Sequence, residues 1–108
     1  MSSKERALTE LASVLHVLGH PQRIRIIEEL RDGEHDVNHL SEAIGCTHPR
    51  VSQHLAKLRA LRLVRLRRQG RHVFYRLASP TLASWLVDGL VFVESEFADT
   101  EQIRDSVR

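Results

Sequence analysis

The chain has a single cysteine, Cys46, in 108 residues. That excludes an intramolecular disulfide and fits a reducing compartment. Aromatic residues make up only 5%, so the core has to be built mainly from Leu, Val and Ile. No apolar run approaches the roughly 18 residues that a membrane span requires. The opening segment MSSKERALTE has no apolar signal-peptide core. A cytoplasmic protein with no membrane role is the expectation. No Gly-rich phosphate loop, nucleophile motif or plausible acid pair stands out, so an enzyme is not expected.

The most uneven absence is negative charge. From Thr47 to Arg76 there is no Asp or Glu, while Lys57 and Arg50, Arg59, Arg62, Arg65, Arg67, Arg68, Arg71 and Arg76 all fall there. Of sixteen Lys and Arg, nine lie in this third, leaving seven against all fourteen acids, so the segment stands at +9 and the remainder at −7. The formal net charge of +2 conceals this split. A merely solvated face usually mixes signs, so a surface for a polyanion is the better explanation.

What is present reads as one globular domain over residues 1–108, with 42% apolar and 28% charged residues. Leu8, Leu11, Leu15 and Leu18 form a helical stripe over residues 4–18, widened by Val14 and Val17. Gly19 is expected to end that helix as a positive-φ residue, and Pro21 suits the first position of the next. That second helix carries Ile24, Ile27 and Leu30 and stops at Asp32-Gly33. A short third helix holds Val37, Leu40, Ala43 and Ile44, ending at Gly45. Thr47 is placed to cap a fourth, with Pro49 in its first turn and Val51, Leu55, Leu58 and Leu61 facing inward.

The stretch VRLRRQGRHVFYR, residues 64–76, alternates as a hairpin does, turning at Gln69-Gly70. Its like charges would repel unless something outside supplies negative charge. Ser79-Pro80 opens a last helix over residues 79–97, with Leu82, Trp85, Leu86, Gly89, Leu90, Val93 and Phe97 along one side. Val87, Val91 and Phe92 lie off that stripe, so the helix is apolar on more than one face. The tail from Ala98 is polar and is expected to fray.

Residues 37–61 thus hold two helices joined through Gly45-Cys46-Thr47, which is helix-turn-helix spacing, and a basic hairpin follows over residues 64–77. The segments GHPQRIRIIEEL, LSEAIGCTHPRVSQHLAKLRALRLV and RRQGRHVFYRL closely resemble the ArsR/SmtB family of bacterial transcriptional repressors. The resemblance runs from about Leu8 to Phe97. It is most specific in VSQHLAKLR standing at the correct distance before the hairpin. It implies a mainly α winged helix-turn-helix of order α-α-α-α-β-β-α. Many members have glycine just before the Leu-Val that opens the wing, where this chain has Arg62. Either the helix ends there without a left-handed residue, or Arg62 adopts that conformation at a cost of about 1 kcal/mol.

For such a fold the fourth helix enters the roughly 12 Å wide major groove of double-stranded DNA by its N-terminal end. Thr47, His48, Arg50, Ser52, Gln53 and His54 are the candidates there. Arg50 has the donors for guanine and Gln53 the paired groups for adenine. His54 comes after them as a reader, with a contact to a phosphate or a neighbouring backbone the favoured reading. Arg67, Arg68, Arg71 and His72 are expected near the wing tip, against the minor groove or flanking phosphates, with Arg65 and Arg76 further down the arms. The resemblance also implies a homodimer paired through the first and last helices, here Leu8, Leu11 and Leu15 with Leu82, Trp85, Leu86, Leu90 and Val93. A two-fold dimer reads an inverted repeat.

The family's sensing sites are metal ligands or paired cysteines, and most are missing here. The cysteine positions of its third-helix motif carry Asp36 and Asn38, and the last helix has no histidine, only Asp88, Glu94 and Glu96. His35, Asp36 and His39 remain as candidate ligands for a borderline ion such as nickel or zinc, with His16, His20 or residues of the other subunit as possible additions. A plain solvated helix start is the competing reading. So are a metal-independent regulator or activator, regulation by a partner protein, an architectural DNA binder, and a protein-interaction winged helix. Cys46 reads as a small filler.

Overall fold

The computed structural model describes residues 1–107, with side-chain surroundings through Ala98. Five helices and three short strands follow in order: α1 Ser3–Leu18, α2 Pro21–Glu29, β1 His35–Asp36, α3 Val37–Ile44, α4 His48–Ala60, β2 Val64–Gln69, β3 His72–Leu77 and α5 Thr81–Val107. A 3₁₀ turn, Leu30–Asp32, separates α2 from β1. Among the described residues no helix is long and apolar enough to cross a membrane.

Local chemistry sets most helix starts. The Ser2 hydroxyl accepts from the Glu5 amide at 3.1 Å, and Thr47 Oγ1 accepts from the Arg50 amide at 3.4 Å. Each satisfies a donor that a helix N-terminus leaves free. The helix ends are less uniform. Gly45 closes α3 with φ 65°, as glycine readily does. Gly19 closes α1 with φ −73°, so the expected positive φ is not found there. Room explains it better: an added Cβ would stand 3.3 Å from the Leu15 carbonyl oxygen.

The core is a contiguous aliphatic cluster of Leu18, Ile26, Ile27, Leu30, Leu40, Ile44, Val51, Leu55, Leu58, Val64, Leu77 and Ala83. It draws on every helix and on both long strands, so α4 is fixed simultaneously by α2, α3 and the sheet. The α4 stripe is buried at Val51, Leu55 and Leu58, while Leu61 is half-buried. On α2 the fully buried residues are Ile26 and Ile27, with Ile24 only half-buried. Leu18 is buried, but Leu8, Leu11 and Leu15 remain 43–54% exposed. Trp85, Val91, Phe92, Val93 and Phe97 of α5 are exposed as well, and α5 continues to Val107 where a frayed tail was expected.

The sheet has strand order β1-β3-β2, all antiparallel. The third strand, β1, was not foreseen; at two residues it is too short to leave an alternating pattern. Val64 pairs with Leu77, Leu66 with Tyr75 and Gln69 with His72. The hairpin therefore turns at Gly70-Arg71, one residue later than Gln69-Gly70. Gly70 has φ 60° while Arg71 is not among the positive-φ residues, the pattern of a type II′ turn.

Candidate nucleic-acid interface

Thr47, His48, Arg50, Ser52 and Gln53 are all exposed, on the side of α4 away from its buried stripe. The core fixes this side chemically: with Val51, Leu55 and Leu58 inward, residues 50, 52 and 53 have only solvent to face. Lys57 and Arg59 extend the exposed basic character toward the C-terminal half of the helix.

His54 is the exception among the six helix candidates. It is 5% exposed, with Nδ1 3.0 Å from Arg23 Nε and Nε2 3.0 Å from Gln22 Oε1. Both ring nitrogens are occupied inside the protein, so this side chain is not presented to a base edge. Burial first, then the neighbouring His20, Arg23 and Arg50, push its pKa below the ordinary histidine value.

The wing also differs from an array of free cations. Arg68, Arg71 and His72 are exposed around the turn, but Arg67 is engaged. Its Nε donates to both carboxylate oxygens of Glu34, at 2.9 and 3.2 Å. One terminal nitrogen donates to Gln69 Oε1 at 2.9 Å, and the guanidinium carbon lies 4.9 Å from the Phe74 ring centroid. The Arg67 hydrogen bond, opposed in part by desolvation and aided by the charges of Arg67 and Arg76, holds the Glu34 carboxyl below its usual range. An acid from outside the basic segment thus answers part of the repulsion. Arg65 and Arg76 still stand directly opposite each other across the strands, where like charges destabilise a hairpin.

Arg62 adopts φ 61°, the left-handed alternative. The Arg62 amide donates to the Arg59 carbonyl at 2.8 Å and the Leu63 amide to the Leu58 carbonyl at 3.0 Å. These two bonds form a Schellman ending, which requires a left-handed residue at position 62. The turn aims the chain from α4 directly into β2.

The proposed metal ligands do not assemble. The rings of His35 and His39 stack with centroids 3.8 Å apart, but the Asp36 carboxylate caps α3 by accepting from the His39 amide at 2.8 Å. His39 Nε2 instead faces Glu29 Oε2 at 3.3 Å. Among the described residues no group of three or more His, Cys, Asp and Glu has a metal-holding arrangement, and neither His16 nor His20 completes one. Within the described residues of one chain, these three do not form a complete donor set.

Comparison with known proteins agrees with the geometry. Residues 20–65 match the model of the family described as bacterial regulatory protein, arsR family. The HTH-type transcriptional regulator KmtR of Mycobacterium tuberculosis is 40% identical over 78% of this chain and 65% of its own length, so the chain spans slightly under two thirds of that relative. The biofilm growth-associated repressor of Xylella fastidiosa is 37% identical over 80% of this chain and 75% of its length. The homodimeric winged helix-turn-helix DNA-binding domain Mb0332 of Mycobacterium bovis, described as a possible ArsR-family regulator, superposes with a TM-score of 0.77 at 27% identity, covering 89% of each chain. The chain belongs to the arsR family of bacterial transcriptional regulators and has its winged helix-turn-helix DNA-binding fold.

Proposed function

We propose that this chain is a cytoplasmic, non-enzymatic repressor that reads an inverted-repeat operator as a homodimer. The observation that carries the reading is the exposed face of α4, with Thr47, His48, Arg50, Ser52 and Gln53, standing beside a wing whose Arg68 and Arg71 are free of acidic partners among the described residues. Arg50 and Gln53 supply base-edge chemistry. The wing arginines supply phosphate contacts and counterion release. The exposed apolar residues of α1 and α5 supply the seam for a second copy. Repression is the direction suggested by the Xylella relative's description as a repressor. A metal-responsive form of this reading lacks a complete donor set among the described residues of one chain.

Selection of duplexes from a random library, followed by competition against unrelated DNA, tests the proposal. The expected product is an inverted repeat bound about 10³-fold or more tighter than bulk duplex. Equal affinity for all duplexes would leave an architectural binder and overturn the reading.

A further inference from the structure

His54 stands among Val51, Leu55 and Leu58 on the inward side of α4, a place where a polar ring is costly unless both nitrogens are satisfied. The partners settle how that is done. An arginine Nε–H can only donate, so Nδ1 accepts from Arg23 at 3.0 Å. Nε2 therefore carries the proton and donates to Gln22 Oε1 at 3.0 Å. Cys46 Sγ, in the turn before α4, lies 3.6 Å from the same Gln22 oxygen. Another Arg23 nitrogen donates to the Val17 carbonyl at 3.0 Å, at the end of α1. The His20 ring meets His54 edge-on with centroids 4.6 Å apart. One buried ring thus joins the end of α1, the first turn of α2, the helix-turn-helix turn and α4.

We propose that His54 is a positioning residue for DNA reading: held neutral between Arg23 and Gln22, it sets the rotation of α4 and hence where Arg50 and Gln53 meet base edges. The inference rests on the DNA-reading role proposed above. Apolar contacts alone allow a helix to roll by small angles at little cost, whereas two opposed hydrogen bonds to fixed partners on α2 do not. Gln53 precedes His54 directly, and Arg50 is one turn earlier on the same helix, so rotation at His54 displaces both.

The lock is also conditional on protonation. A proton on Nδ1 would face the Arg23 Nε–H, donor against donor. The charged groups bearing on the ring are His20, which caps α2, Arg23 of α2 and Arg50 of α4. His16 and Lys57 line the adjoining cavity beside Arg23, and the Cys46 thiol faces Gln22. No carboxylate is among them. The neutral form that the lock needs is therefore fully present above about pH 6.5, and is lost as pH falls through the depressed native value.

The experiment uses the intact dimer and its selected operator. Operator affinity of the wild type should fall with acid, toward a limit of about tenfold per pH unit for each His54 of the dimer, once the pH is below the His54 pKa. His54→Gln keeps an acceptor for Arg23 and a donor for Gln22 but cannot titrate. It should bind within about threefold of wild type at pH 7.5 and lose that acid-dependent fall, while the other histidines leave their own trend in both proteins. Nitrogen NMR of the free wild-type dimer should show the Nε2–H tautomer and a titration below the usual histidine value, whether or not the variant folds. An Nδ1–H tautomer or a protonated ring at pH 7 would overturn the proposal. So would identical pH profiles for wild type and His54→Gln. Absence of any operator preference in the wild type, with the NMR result as expected, would instead sink the DNA-reading role.

Discussion

The α4–wing surface and the α1–α5 surface are both incomplete in the single chain, one in charge and the other in apolar contact. Residues 47–76 carry nine basic side chains and no acid, yet most of those side chains are exposed and hydrated. Water and salt satisfy such a surface well, so it can wait for DNA at little cost. Leu8, Leu11, Leu15, Trp85, Val91, Phe92, Val93 and Phe97 are between 43% and 60% exposed, and water does not satisfy them. Apolar area returns about 25 cal/mol per Å² only when another surface covers it. The contrast teaches which partner is permanent: on the dimer reading, the second copy is bound throughout, while DNA comes and goes.

The strongest way to break that contrast is to put charge on the apolar surface. Val93 is half exposed in the single chain, so Val93→Asp should leave the fold intact while burying an unpaired carboxylate at the seam. An uncompensated buried charge costs about 3–5 kcal/mol, enough to turn dimer into monomer in sedimentation at micromolar concentration. Leu90→Asp should do the same, with some loss of fold stability because Leu90 is half-buried already. A folded dimer in both variants would show that α5 is not the seam.

Changes on the charged surface should be smaller and should separate by kind. Gln53→Ala should flatten discrimination at particular operator positions by about 1–3 kcal/mol each. Arg68→Ala and Arg71→Ala should weaken all duplexes alike, each lowering the salt slope by about one unit. Arg67→Ala should lower it less, because Glu34 already takes up that guanidinium. Glu34→Gln should release it and steepen the salt dependence. The depressed Glu34 pKa means the pair is kept above the usual carboxylate range and lost only in stronger acid. Arg67 weighing as much as Arg68 in binding measurements would make the Glu34 contact irrelevant to function.

How much of this was legible depended on how local the cause was. The α4 stripe, the Thr47 cap and the basic segment follow from neighbouring residues, and all three were visible in the sequence. His54 is grouped with the DNA-contacting residues on its polarity, with a phosphate or structural contact also open, although its position completes the 51, 54, 55, 58 spacing of a buried helical face. Arg67 and Glu34 lie 33 residues apart, and no local pattern announces an ion pair across that distance. Asp36 was read as a metal ligand because it falls between two histidines, whereas its position just before α3 is equally that of an N-cap. The α1 leucines were read correctly as a stripe, but only Leu18 finds its cover within one chain.

The smallest expected effect lies where the two surfaces' supports meet, at the Schellman ending of α4. The bonds from the Arg62 and Leu63 amides require residue 62 at φ 61°. That conformation costs a side chain about 1–2 kcal/mol relative to glycine, and glycine gives back roughly 0.5–1 kcal/mol through greater freedom in the unfolded chain. Arg62→Gly should therefore stabilise the fold by about 0.5–1 kcal/mol, raising the urea midpoint with an unchanged slope. The same change removes an exposed cation from the basic segment, so affinity for DNA can move the other way. A flatter salt dependence alongside a more stable fold would mean that Arg62 bears on phosphate as well as ending the helix. An unchanged salt slope would leave it with the backbone role alone, and a lowered urea midpoint would mean that its side chain holds more of the turn than the strain removes.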